Sequence, residues 1–258
     1  MRKYQIVIPS RGRPENVRNI LDIRGLDSEP IFFIPYEELQ DYKAAYHNAH
    51  YECLHYKNLA QKRNMILEYM SNKHPNYDIV MMDDDLKSTH LAVSKTKMPP
   101  IAFNGMIDYI EQSLAFHKLK LAGVPQIASL FYYNPNMPFS TRNFVVSNLY
   151  YIRKDNKLRF DENLDVKSDY DYTLQNISEY GGALRCNCIM AKFEHWSNQG
   201  GLTGIRTKEK MMKAIEYLQK KWGNDIVVRN PKQGKEETEI LLKVKRRPIA
   251  REISQVAN

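Results

Sequence analysis

The sequence predicts an α/β fold, one domain of alternating strands and helices with an added C-terminal piece. Short apolar runs at Tyr4–Pro9, Ile31–Ile34 and Asp78–Met82 are too brief for ordinary globular helices and read as buried strands. Between and after them come stretches with apolar residues at helical spacing. The run from Asp78 stops at three consecutive carboxylates, Asp83, Asp84 and Asp85, as a buried strand does when it delivers polar groups to a site at its end.

Tyr4–Pro9 is the first strand, and Ser10-Arg11-Gly12-Arg13-Pro14 turns out of it into a helix carrying Val17, Ile20 and Leu21 on one side. Pro14 suits the first helical position. A strand, a glycine-containing turn and a helix start form a natural anion site, to which Arg11 and Arg13 add two guanidinium groups. The turn is neither a P-loop nor a GxGxxG fingerprint. Ile31–Ile34 is a second strand, ended by Pro35, and Tyr51–Leu54 a weaker third.

From Asn58 to Met70, Leu59, Ile66, Leu67 and Met70 share one helical face with Arg63, whose guanidinium needs either an acidic partner or a bound nucleotide. Phe103, Met106, Ile107, Ile110, Leu114 and Leu121 mark a long helix, with His117 as a core histidine. Val124–Tyr133, Asn143–Arg153 and Leu184–Phe193 read as further strands. Ser168 with Asp171 three residues later fits a capping box, and Asp169 suits the first turn of the helix that follows. The strand to Phe193 runs into Glu194-His195-Trp196 and a loop containing Gly200, Gly201 and Gly204, an order that suits either an ordinary surface histidine or a metal ligand under a closing lid. Residues 206–222 form a basic amphipathic helix, and the end of the chain is a cationic tail.

The composition is globular: 43% of the residues are hydrophobic and tyrosine alone contributes 17. No apolar run approaches the roughly 18 residues that span a bilayer. With no signal-peptide pattern at Met1, and with Cys53, Cys186 and Cys188 reading as reduced buried thiols, the expectation is a cytoplasmic protein. A formal charge of +8 favours a polyanionic partner without naming it.

Three adjacent carboxylates repel and raise one another's pKa, which a cation relieves. Carboxylate oxygen suits Mg²⁺ or Mn²⁺, and Mg²⁺ is commonly held by one or two carboxylates plus substrate phosphates. Asp83 and Asp85 therefore read as a metal and nucleotide-diphosphate site. An isolated Asp-x-Asp also occurs as a solvated acidic turn.

Taken in order, Ile6–Arg13, Leu59–Asn64, Met82–Asp85, Phe160–Glu162 with Ser168–Asp171, and His195 resemble the motifs of nucleotide-sugar glycosyltransferases of the GT-A fold, over about Tyr4 to Thr203. The resemblance implies a Rossmann-like mixed sheet flanked by helices, with residues 1–205 as the core and 206–258 as a basic helix and tail packed on it. It implies that Asp83, Asp85 and His195 hold Mn²⁺ or Mg²⁺. Pro9, Ser10, Arg11, Arg13, Arg63, Asp83, Asp84 and Lys208 would bind the donor, a UDP-sugar by default. Asp169 would stand beside the acceptor as a candidate base, although Ser168 occupies the place where members often carry Glu. The compact form is similar to phage enzymes that glycosylate hydroxymethylated pyrimidines in DNA, which would place it in the host cytoplasm and fits the basic surplus. Two other readings explain part of the pattern: a transferase of the same fold acting on a glycan, lipid or protein, and a non-enzymatic nucleic-acid-binding protein.

Overall fold

A computed structural model describes residues 4–194, 207–229 and 239–242. The centre is an eight-stranded mixed sheet flanked by helices. Its first half is built from β1 (Tyr4–Pro9), α1 (Asn16–Leu21), β2 (Ile31–Pro35), α2 (Leu39–Ala45), β3 (His50–Leu54), α3 (Leu59–Lys73) and β4 (Asp78–Met82). Then follow β5 (Leu86–Leu91), α4 (Phe103–Phe116), β6 (Leu121–Gly123), β7 (Phe139–Ser140), β8 (Leu149–Ile152), α5 (Ser168–Tyr180), β9 (Leu184–Cys186) and β10 (Ile189–Phe193). The C-terminal piece contributes α6 (Lys208–Trp222), β11 (Ile226–Arg229) and β12 (Glu239–Leu242).

The strand order is β3-β2-β1-β4-β8-β6-β9-β7. β1 to β4 are parallel; β8 runs against both β4 and β6, β9 runs with β6, and β7 runs against β9. The carboxyl ends of β1, β4, β6 and β9 thus open on one edge. β1 lies between β2 and β4, the switch point at which an open α/β sheet leaves a crevice for ligands.

Alternation along the strands explains why both faces are covered. Ile6, Ile8, Val80 and Met82 join a core with Val17, Ile20, Phe103, Met106 and Ile110 of α1 and α4. Val7, Ile79 and Met81 point the other way, to Ile66, Leu67 and Met70 of α3 and to Tyr172 and Ile177 of α5. Gly123 sits where β6 meets β8 so closely that a Cβ there would collide with Val145 and the Leu149 carbonyl.

β5 and β10 form a separate antiparallel pair, and their register, Phe193 opposite Leu86, lays the end of β10 beside the start of β5. α6 packs Ala214, Ile215 and Leu218 against Leu164, Val166 and Leu174. Asp171, fully buried on α5, fastens this packing by accepting from Trp222 Nε1 at 2.7 Å, Lys221 Nζ at 2.9 Å and Gln175 Nε2 at 2.6 Å.

Several elements differ from the sequence reading. Residues 124–133 form no strand: β6 ends at Gly123, and Leu130–Tyr132 is a single 3-10 turn with Ser129 as its cap. The long helix ends at Phe116, so Leu121 belongs to β6. Leu184–Phe193 is two strands divided at Asn187, whose N–H goes to the Pro138 carbonyl at 2.8 Å. The first helix starts at Asn16, two residues beyond Pro14. The capping box does not form: Lys167 is the N-cap, in the left-handed region at φ 62°, Ser168 is the first helical residue, and Asp171 is committed to α6. The cationic tail beyond Leu242 lies outside the described residues.

Candidate active site

The site is assembled where β1 and β4 end side by side. Leaving β1, Ser10 donates its N–H to the Phe33 carbonyl at 2.9 Å, so the turn starts locked to β2. Gly12 takes a left-handed conformation, φ 65°, and its N–H points at Glu38 Oε2, 2.7 Å away. That bend brings Arg13 back over the aspartates, where Nη1 lies 3.0 Å from Asp84 Oδ1 and 3.6 Å from Asp85 Oδ2. Burial works against the Arg13 charge, but Asp84, Asp85 and Asp83 outweigh it and hold the guanidinium above its ordinary pKa.

The three aspartates have different surroundings. Asp84, 4% exposed, turns inward and accepts from Arg13 and from the Ser10 hydroxyl, which also contacts the Tyr42 hydroxyl at 2.6 Å. It ties the β1 turn to the β4 turn. Asp83 is half-buried, with its N–H on the Asn148 carbonyl at 2.9 Å. Asp85 is 6% exposed, and its carboxyl is pushed up to about 6, first by burial and then by Asp84, with Arg13 opposing. Burial is the first cause of that rise, and a nearby cation would oppose it. The donor set is hard oxygen, which fits Mg²⁺ or Mn²⁺. Among the described residues no three His, Cys, Asp or Glu side chains are gathered to hold a metal ion. His195, the third expected ligand, and the glycines 200, 201 and 204 lie outside the described residues. The residue before it, Glu194, donates its N–H to the Asp85 carbonyl at 2.9 Å and pairs with Lys87 at 2.5 Å.

Beside the turn, Arg11, Pro35, Glu37, Leu54, His55 and Tyr56 line a pocket of about 140 Å³ at the carboxyl ends of β1, β2 and β3. Pro9, the last residue of β1, pairs with Phe33 and aims the turn at it. The exposed Tyr36 ring tilts against His55 at 5.6 Å. Beneath lies Lys62, to which no sequence motif points. It is 2% exposed, donates to the Ser10 carbonyl at 2.6 Å and the Tyr56 hydroxyl at 3.3 Å, and sits 4.6 Å from the Tyr56 ring centroid. Burial lowers its pKa to about 7 against the pull of Asp84 and Glu38. Its only sequence signal is a lysine beside Arg63 in an otherwise apolar helical stripe.

Arg63 is 2% exposed and lies 5.3 Å over the Phe160 ring. Among the described residues it forms no ion pair, and its Nε has no hydrogen-bond partner. Tyr150, fully buried, gathers the remaining charges: its hydroxyl pKa is driven up by burial and then by Asp169, with Arg63 opposing and Asp83 adding. The start of α5 is fixed by the Phe144–Tyr170 stack, 4.0 Å between centroids. Asp169 is half-buried, with Oδ1 on the Tyr170 N–H at 3.1 Å. Lys208 is exposed at the first residue of α6. Its neighbour Lys210 pairs with Asp165, which also accepts from Asn58 at the start of α3.

A family model described as TET-associated glycosyltransferase matches residues 4–201. The chain belongs to this family. It is accordingly a glycosyltransferase, on the mixed α/β architecture that the GT-A resemblance implies. No functionally curated protein matches the sequence. Similar solved structures include CMP:2-keto-3-deoxy-manno-octonic acid synthetase complexed with CTP, 13% identical over 72% of this chain and 88% of that one, TM-score 0.41. Another is A197 from STIV, 14% identical over 78% and 89%, TM-score 0.39. A third is mouse xyloside xylosyltransferase 1 in its apo form, 8% identical over 70% and 77%, TM-score 0.32. No helix among the described residues is long and apolar enough to cross a membrane.

Proposed function

We propose that this glycosyltransferase moves a sugar from a UDP-sugar to a hydroxymethylpyrimidine, 5-hydroxymethylcytosine above all, in DNA. The observation that carries the donor half is the single unit made of the β1 turn, the aspartate turn and the end of β10: Ser10 and Arg13 hold Asp84, and Glu194 holds the Asp85 backbone. That unit puts Asp83 and Asp85 at the end of β4, and Glu194, the residue before His195, beside Asp85. Asp83, Asp85 and His195 would hold Mn²⁺ or Mg²⁺. When bound, the ion supplies positive charge to the diphosphate leaving group.

The chain's own groups do the rest. The pocket walled by Tyr56, His55 and Arg11 takes the nucleoside, with Arg11 and Arg13 beside the phosphates. Arg63, a buried guanidinium without a carboxylate partner among the described residues, reserves its charge for a ligand. Asp169, in the first turn of α5, stands beside the acceptor hydroxyl and takes its proton if the reaction inverts configuration. The DNA half rests on the basic surplus. A base within a duplex must leave the stack to reach such a site.

The test is to incubate the protein and Mn²⁺ with a panel of nucleotide-sugars and either hydroxymethylcytosine DNA or a glycan acceptor. A mass shift of the DNA is expected. Transfer to the glycan alone would refute the DNA acceptor, and DNA binding with neither transfer nor donor hydrolysis would refute the enzyme.

A further inference from the structure

The charge of this chain is unevenly placed. Residues 86–107, 112–154 and 181–193 contain no Asp or Glu, while they carry Lys87, Lys95, Lys97, Lys118, Lys120, Arg142, Arg153, Lys154, Arg185 and Lys192. β8, β6, β9 and β7 build the half of the sheet beyond β4, away from the nucleoside pocket, and β5 and β10 form their separate pair. The excursion from Gly123 to Leu149 leaves and re-enters the sheet at the edge where β4 presents its aspartates, because β6 runs with β4 and β8 against it. That excursion, a rim of residues 124–148, contains no Asp or Glu.

On that rim stand two aromatic rings that the core does not use. Phe131 is 86% exposed and Tyr132 67%, and they form an edge-to-face pair 5.0 Å apart. They are held out by construction. Ser129 caps their turn, and the next residue, Tyr133, is 7% exposed and anchored beside Cys188, whose carbonyl in turn receives the Ala92 N–H at 2.8 Å. That last hydrogen bond ties the start of the exposed Lys95 and Lys97 loop to Cys188. Strand β9, which leads to Cys188, is three places from β4, about 14 Å at the usual strand spacing of about 4.8 Å.

We propose that this rim is a duplex-DNA docking surface, with Lys95, Lys97 and Arg142 on phosphates and the Phe131–Tyr132 pair entering the base stack beside the nucleotide that is turned into the site. The proposal rests on the DNA-acceptor reading and deepens it. Phosphates match a rim whose loops, residues 92–101 and 124–148, carry Lys95, Lys97 and Arg142 and no Asp or Glu. Exposed rings on a rigid turn match the apolar wedges that unstack a base step, which an extruded acceptor base requires. A purely apolar protein partner would leave that charge pattern unused.

Binding of the full chain to a short fluorescein-labelled duplex carrying one hydroxymethylcytosine, followed by polarisation between about 50 and 200 mM salt, tests it. Phe131→Ala with Tyr132→Ala should weaken binding roughly ten- to hundredfold, the worth of one or two stacked bases, with the salt slope, donor hydrolysis and melting temperature unchanged. Lys95→Ala with Lys97→Ala should instead flatten the slope by about 0.9 for each phosphate no longer neutralised. If the unaltered chain modifies DNA and both double variants bind it equally well, the surface is wrong and the acceptor reading stands. If the unaltered chain binds no DNA and glycosylates a glycan, both fail. A dimer in sedimentation that Phe131→Ala with Tyr132→Ala dissolves, at unchanged DNA affinity, would make the face an interface between copies and overturn the proposal.

Discussion

Replacing Lys62 with Met should remove a pH dependence that the wild-type fold carries. In the folded chain Lys62 titrates at about 7 because it is buried, whereas an unfolded lysine titrates at about 10.4. The folded pKa is depressed, so the stability associated with this group is fully present above the unfolded pKa and is lost as pH falls toward the folded one. At about 1.36 kcal/mol per pKa unit, the span is on the order of 5 kcal/mol. Between pH 7 and 9 it should approach about 2.5 kcal/mol. Urea denaturation of the wild type and Lys62→Met across that range isolates the effect, because every other titrating group cancels in the difference. The missing bonds to Ser10 and Tyr56 shift the variant by a constant, and only the slope matters. Parallel stability curves from pH 7 to 10 would refute the reasoning and mean that Lys62 is solvated or newly paired.

Asp84→Ala removes the acceptor shared by Ser10 and Arg13, and loss of one partner from a buried pair should cost about 3–5 kcal/mol in urea denaturation; a change below about 1 kcal/mol, the worth of a surface pair, would show that the two turns are held otherwise. Asp171→Ala should cost a similar ~3–5 kcal/mol and, by hydrogen exchange, loosen α6 far more than α3, whereas equal loosening of both would deny that Asp171 fastens the C-terminal piece. His195→Ala should weaken Mn²⁺ binding about tenfold or more by calorimetry while the protein stays folded; unchanged affinity would remove His195 from the metal set and leave Asp83 and Asp85.

The parts of the fold that sequence reveals are those in which burial is periodic. β1, β2 and β4 are apolar because both faces of the sheet are covered, α3 and α4 carry stripes that pack on it, and α6 carries one that packs on Leu164, Val166 and Leu174. β5 escapes because Leu-Lys-Ser-Thr-His-Leu is half solvated, and it becomes a strand only through its pairing with β10, about a hundred residues later. Leu130–Tyr133 misleads in the opposite way. Its residues suit a strand, yet they form a capped turn with the Phe131 and Tyr132 rings outward and Tyr133 buried. The Ser168–Asp171 spacing is correct for a cap, but Trp222 and Lys221 take Asp171 from a distant helix. In the site, the order of the motifs exposes the turn residues Ser10 to Arg13 and the aspartates. The division of labour among the aspartates and the role of Lys62 arise from interactions between segments that no local spacing encodes.

The most direct test of the central claim is the Mn²⁺ dependence of UDP-sugar turnover in the wild type and in Asp85→Ala. Turnover should fall at least about a hundredfold in the variant, with weaker donor binding, no further response to Mn²⁺ and a preserved fold. Full turnover in Asp85→Ala with the same metal dependence as the wild type would contradict the site.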